Sequence, residues 1–267
     1  MNFSQSETDF IKDAESYVPI PENEKPVIES EEELNALLAE RRAAAKGSSL
    51  PDFMHTRFKG LDLSGWDMTK LNLRRTTFDG CNLSGTDFSD SEMDHIAFYN
   101  NDLRGMKLCR CKARGCSFRF QDMTGIDLSG ANIYASVLED AINQDKVIID
   151  DDTKWYKMRC PEEGPFIAWK CCTDLRVVMM LVPADAKRCM ATMETGRVSK
   201  VKVLKITNID ETENYTWAQS TVDSDFYYEV GKWLEPANGF QEDRWKDSSP
   251  GIHFFLDRQQ CVDYQSK

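Results

Sequence analysis

A mainly β chain, wound as a solenoid in its middle and followed by a small α+β domain, is predicted by three observations. From Phe58 to Leu138 every fifth residue is apolar. Neither a helix of period 3.6 nor a strand of period 2 does this, whereas a coil with five-residue sides does. The same residues sort by type at a spacing of twenty. Phe58, Phe78, Phe98 and Phe118 form one column, Leu63, Leu83 and Leu103 the next, and Gly65, Gly85, Gly105 and Gly125 a corner. Stacked coils with four sides each explain that sorting. After Leu138 the period stops, and runs rich in β-branched and aromatic residues begin.

The elements follow in order. Residues 1–28 carry Pro19, Pro21 and Pro26 among acids and are expected to form an extended arm or linker. Residues 29–47 open with Ser30-Glu31-Glu32-Glu33, a capping-box pattern, and continue with Leu34, Leu37 and Leu38. This is the expected N-terminal capping helix, ending near Lys46-Gly47 and covering the template edge of the first coil. Residues 56–140 form about four coils, with Phe58, Phe78, Phe98, Phe118, Leu63, Leu83 and Leu103 as their core. The run Asp150-Asp151-Asp152 marks the expected junction. In residues 155–267, strands are expected at 166–171, 176–182 and 201–206, with a hairpin pairing 227–230 and 251–256. A short helix over 257–264 is capped by Asp257, and Pro183-Ala184-Asp185-Ala186-Lys187-Arg188 reads as a turn into another.

Asp or Asn often precedes the central apolar residue, and Ser, Thr, Arg or Gly follows it, as in the segments LDLSG, CNLSG, NDLRG, QDMTG and IDLSG. This pattern resembles the pentapeptide-repeat family. The resemblance implies a right-handed quadrilateral β-helix with four pentapeptides per coil. Residues 155–267 resemble an uncharacterised domain found behind pentapeptide repeats in bacteriophage and bacterial proteins. That second resemblance implies a phage setting but no activity.

Charge narrows the function. The formal net charge is −12. Residues 1–55 hold −7 of it, 56–140 only −1 and 141–267 the remaining −4. Some members of the repeat family resemble duplex DNA and occupy gyrase, which needs continuous negative columns. Here most columns alternate: Lys59 with Asp79, Arg119 with Glu139, Arg74 with Asp94 and Arg114, Lys70 with Asp90 and Arg110, and Asp87 with Lys107 and Asp127. Asp62, Asp102 and Asp122 form the one acidic column and are a candidate binding face. No apolar run is long enough for a membrane span, and the polar, acidic start is unlike a signal peptide. Nine cysteines without paired CxxC modules read as reduced thiols in a cytoplasm-like compartment, the host's if the chain is phage-encoded.

Candidate chemistry is sparse. Cys171 or Cys172 as nucleophile, His253 as base, and Asp185, Lys187 and Arg188 as an adjacent polar cluster are the catalytic candidates, and Arg188 is also a binding candidate. No P-loop, HExxH, nucleophile elbow or dinucleotide turn occurs. No cofactor and no metal are expected, because Cys81, Cys111 and Cys116 fall on an inward repeat position. The expected function is a non-catalytic protein-binding or assembly module with a protein partner. Nucleic acid and membrane are not expected as partners, and the oligomeric state is open. The alternatives are a DNA-mimic modulator of a topoisomerase and a small enzyme or ligand-binding activity in the C-terminal domain.

Overall fold

The computed structural model describes residues 4–45, 47 and 49–265. The chain divides into two compact units, one ending at Tyr156 and the other beginning at Lys157.

In the first unit, α1 (Gln5–Ser16), β1 (Val27–Ile28) and α2 (Glu31–Ala44) precede the coils. The arm expected to be extended thus contains a helix. Its cause is a capping box: the Ser4 side chain accepts from the Glu7 amide, and the Glu7 carboxylate accepts from the Ser4 amide at 2.8 Å. Phe10 and Glu7 are buried on one side of α1. The capping helix α2 is N-capped by Ser30 and buries Leu34 and Leu38. It lies over the first coil, where Arg42 donates to the Asp67 carbonyl at 2.9 Å and Glu31 accepts from the Asp62 amide at 2.8 Å. It stops at Ala44, two residues before the expected end. Lys46 itself lies outside the described residues.

The coils stack in parallel at a spacing of twenty residues. Strands β2 (Arg57–Lys59), β3 (Thr77–Asp79) and β4 (Ala97–Tyr99) align Phe58 with Phe78 and Phe98. Single bridges link Asp62, Asn82 and Asp102, and likewise Asp67, Asp87, Lys107 and Asp127. β1 adds a further parallel strand on β2. The Phe column is a ladder of stacked rings, with centroids 4.8, 5.7 and 5.1 Å apart from Phe58 to Phe118. Pairing starts at Asp52 with Asn72 and continues past Leu138: Asp122 pairs with Ile142, Asp127 with Ile148 and Asn132 with Lys154. The last two bridges close the stack with sides longer than five residues, which hides them from a fixed period. Asp150 belongs to this end of the coil, where it accepts from the Gly130 and Thr153 amides at 2.9 Å. The boundary therefore falls a few residues beyond the acidic run expected to mark it.

The second unit is built on an antiparallel sheet. Its strands are β5 (Phe166–Cys171), β6 (Arg176–Val182), β7 (Arg188–Cys189), β8 (Thr195–Val198), β9 (Val201–Asn208), β10 (Asn214–Tyr215), β11 (Trp217–Gln219), β12 (Tyr227–Glu229), β13 (Trp233–Leu234) and β14 (Ile252–Phe255). The main sheet runs β10-β9-β6-β5-β14-β8-β7, with β13 also on β9, while β11 and β12 form a separate ribbon. Alternation puts Val178, Met180 and Val182 of β6 into the main core and Val177 into a smaller one, under the helix α3 (Arg258–Gln265). Asp257 accepts from the Gln260 amide at 3.1 Å, which starts α3. Two expectations fail here. The 227–230 run pairs with β11, not with β14, which instead lies between β5 and β8. Residues 183–188 turn without forming a helix, because the Arg188 guanidinium folds back onto the carbonyls of the turn.

Candidate binding surface

The catalytic candidates Cys171, Lys187 and His253 occupy three different surroundings. Cys171 ends β5 and is buried in the small core with Cys261 and Phe255. A hydrogen bond with the Cys261 thiol lowers the Cys171 pKa. Lys187 is on the surface, paired with Glu242. His253 lines a cavity of about 180 Å³ with Lys170, Ser220 and Asp223, and its Nε2 lies 3.1 Å from the Ser249 carbonyl. Burial and then the charges of Lys170 and Arg197 hold the His253 pKa below its ordinary value. Arg188 is a brace: its guanidinium donates to the carbonyls of Gly164 at 2.6 Å, Pro183 at 2.8 Å, and Ala184 and Ala186 at 3.1 Å.

A different set of residues forms an exposed face. The β11–β12 ribbon turns Ala218 and Tyr228 into the core and leaves Trp217 and Tyr227 outside, 44% and 45% exposed. Their rings are 5.8 Å apart. With Thr216 and Glu229 they line a recess of about 310 Å³. Arg176 fixes the Trp217 edge of this face. Its guanidinium lies 4.6 Å from the Trp217 ring centroid and 4.3 Å from that of Tyr215, and it donates to the Trp217 carbonyl at 2.8 Å. Gln219 donates to the Tyr227 hydroxyl at 3.2 Å. The aromatic rings are thus held in place while their faces stay in water. Alternation from Trp217 to Gln219 was the available sequence signal, but exposure is set by what covers a strand.

In the solenoid, Asp62, Asp102 and Asp122 each accept from the backbone amide two residues on, at 3.1, 3.1 and 3.0 Å. Such Asx turns explain why Asp or Asn precedes the central apolar residue. Side-chain hydrogen bonds from Ser64, Arg104 and Thr124 respectively, with these backbone bonds adding to them, hold all three carboxyls below the usual range. The residue two after the centre takes positive φ, from Gly65 at 70° to His95 at 61°, which favours glycine at that corner. The residue two before the centre points inward, and at several coils its hydroxyl or thiol donates across the coils. Thr86 donates to the Leu63 carbonyl at 2.7 Å, and the Cys111 and Cys116 thiols donate to Phe88 and Met93 at 3.0 Å. Cys81 makes the same bond to Phe58 at 3.5 Å. These cysteines occupy a position that serine and threonine also fill. Among the described residues, no group of three His, Cys, Asp or Glu is placed to hold a metal ion.

This five-residue division of labour agrees with the family model that residues 51–133 match, a pentapeptide repeat region. The chain carries a pentapeptide repeat region. Residues 156–261 match a family of unknown function, DUF5758. Solved structures similar to the chain include the pentapeptide repeat protein Rfr23 from the cyanobacterium Cyanothece 51142. It is 20% identical over 42% of this chain and 66% of that one, with a TM-score of 0.26. QnrB1, a plasmid-mediated fluoroquinolone resistance protein, is 17% identical over 39% and 59%, with a TM-score of 0.30. HetL from the cyanobacterium Nostoc sp. strain PCC 7120, involved in heterocyst differentiation regulation, is 19% identical over 39% and 46%, with a TM-score of 0.19. The chain spans less than two thirds of the length of each. No curated protein matches it.

The pentapeptide repeat region neutralises much of its own charge. Arg110 pairs with Asp90 at 2.7 Å, Lys112 with Glu92 at 2.7 Å, Arg119 with Glu139 at 3.0 Å and Lys107 with Asp87 at 3.7 Å. Arg114 and Asp94, paired at 2.5 Å, are both buried. Two expected partners differ. Asp79 is taken by Arg57 at 2.5 Å, which leaves Lys59 to Glu29 at 2.8 Å, and Arg74 reaches Glu92 at 3.6 Å. In each case a neighbour two residues away lies on the same side of the coil and competes for the charge. The acidic column is also tempered, since Arg104 binds Asp102 through two nitrogens at 2.8 and 2.5 Å.

Proposed function

We propose that the protein is a non-catalytic binding or assembly module. The pentapeptide repeat region acts as a rigid scaffold, and the β11–β12 aromatic face recognises a protein partner. The exposed pair Trp217 and Tyr227, fixed by Arg176, carries this reading. Solvent-facing Trp and Tyr beside Arg are the residue types that dominate binding energy in protein interfaces. A phage-related and cytoplasmic setting rests on the sequence resemblance and the thiol content alone.

The topoisomerase reading is weaker, because the charge pairs between coils interrupt the negative columns that a DNA mimic presents. Purified protein at micromolar concentration is expected to leave gyrase supercoiling unchanged. An enzymatic reading of the C-terminal domain through Cys171, Lys187 and His253 is weaker, because Cys171 is buried in the small core and Lys187 is paired with Glu242. Affinity capture from source cells tests the binding reading. A Trp217→Ala, Tyr227→Ala chain is expected to lose the partner that the wild-type chain retains, and equal capture by both would overturn it.

A further inference from the structure

Helix α1 lies along one flank of the solenoid, and the residues beneath it form a groove with its own chemistry. Phe10 stacks on His95 with centroids 4.6 Å apart, and meets Tyr134 edge-on at 5.7 Å. The ring sits in a notch over Gly115, where a Cβ would come within 2.9 Å of Phe10 Cζ. Arg114 donates to the carbonyl and hydroxyl oxygens of Ser6, and its guanidinium lies 4.9 Å from the Phe10 ring. At the far end Arg75 pairs with Asp13 at 2.6 Å and covers the Tyr17 ring at 3.5 Å, while Tyr17 stacks on His55 at 5.7 Å. At the near end the Trp155 indole donates to Glu7 at 3.0 Å. The contacting residues Ser6, Glu7, Phe10, Asp13 and Tyr17 recur at spacings of three and four, one stripe of a helix.

The groove therefore takes an aromatic side chain at its centre and a carboxylate near each end. It also offers more than α1 uses. With the helix in place, His55 Nδ1 and His95 Nε2 are buried with no hydrogen-bond partner. A buried ring nitrogen without a partner weakens the packing that buries it. The occupant in place thus fits the charges and the notch, but leaves two polar positions that a competing helix with suitably placed side chains would satisfy. The segment that follows α1 carries Pro19, Pro21 and Pro26 and makes no strand pairing before β1.

We propose that this flank is an exchangeable docking groove for an acidic amphipathic helix with a central aromatic residue, presented by a partner protein and held closed by α1 in its absence. It is a second interaction surface, distinct in chemistry from the aromatic face of the C-terminal unit. The arm tethered to the groove keeps it filled at high effective concentration, and a partner helix gains by satisfying the two imidazoles.

Two full-length surface variants and two labelled peptides test this by fluorescence anisotropy. The probes are the peptide of residues 4–17 and the same peptide carrying Asp13→Arg. In the Asp13→Arg chain the arm is repelled from Arg75, so the open groove is expected to bind the wild-type peptide at least about tenfold more tightly than the Asp13→Arg peptide. In the Arg75→Glu chain the arm is again repelled, and the preference is expected to reverse. Wild-type chain, with its groove filled, is expected to bind either peptide more weakly than the matched variant does. Failure of both variants to discriminate between the peptides would overturn the proposal, as would equal binding by wild-type and opened chains.

Discussion

The ring of Phe10 lies parallel to the imidazole of His95, 12° from coplanar, although the two are far apart in sequence and belong to a helix and a solenoid corner. This contact joins the acidic arm to a shaft of nearly balanced charge. It also makes the arm sensitive to protons. Burial, followed by the charge of Arg75, lowers the pKa of both His95 and His55 from the ordinary 6.5. Asp94, Asp13 and Arg114 also act on His95, and Lys25, Asp52 and Arg74 on His55.

Docked imidazoles with lowered pKa bind fewer protons than released ones, so acid favours release. Docking is expected to be complete above about pH 7 and to weaken as pH falls below 6.5. Glu7 acts in the same direction at lower pH. Burial raises its pKa, but bonds from Ser4 and Trp155 outweigh this and hold it below 4.5, so its contribution is lost on protonation. Amide resonances of residues 5–16, followed by NMR from pH 7.5 to 5, are expected to shift toward those of a free peptide. A His95→Asn, His55→Asn chain is expected to show a flatter response over that range.

The phenyl ladder predicts a sharp contrast between two phenylalanines. Phe78 is fully buried between Phe58 and Phe98, and Phe78→Ala is expected to cost about 3–5 kcal/mol in chemical unfolding. Phe120 is 72% exposed at a corner, and Phe120→Ala is expected to stay within about 0.5 kcal/mol of wild type.

The ion pairs are expected to divide by burial. Arg114→Ala leaves the Asp94 carboxylate buried without its partner and is expected to cost about 3–5 kcal/mol. Arg119→Ala removes a half-exposed pair with Glu139 and is expected to cost about 0–1 kcal/mol. Urea titrations of the two variants measure the difference.

Thiol reactivity is expected to be selective. All nine cysteines are free and eight are buried, while Cys109 is partly exposed. Burial raises the pKa of Cys111 to about 12 and that of Cys172 to about 12, which suppresses their thiolates further. Native protein treated with a maleimide is expected to take up one equivalent quickly, at Cys109, as read by peptide mass spectrometry.

The shaft was legible because each side must send one apolar residue inward and turn a corner two residues later, which writes the period directly into the chain. Its last bridges, to Ile148 and Lys154, were not legible, because longer sides break that period. The arm was misread for a different reason. The capping box from Ser4 to Glu7 was present, but α1 has one large apolar anchor, Phe10, and its groove is assembled from coils brought together only by folding. The aromatic face was missed likewise: β12 pairs with β11, Tyr227 opposite Gln219, and not with β14, and strand pairing at a distance leaves little local trace. The bracing role of Arg188 was not legible, because the carbonyls that hold its guanidinium come from two separate segments.

Hydrogen exchange on the captured complex tests the central claim most directly. With the partner bound, protection is expected to increase at residues 215–229, and any change along the coils is expected to be confined to the groove beneath α1. Protection running along the coils with none at Trp217 or Tyr227 would contradict the account, and would place the recognition surface on the shaft.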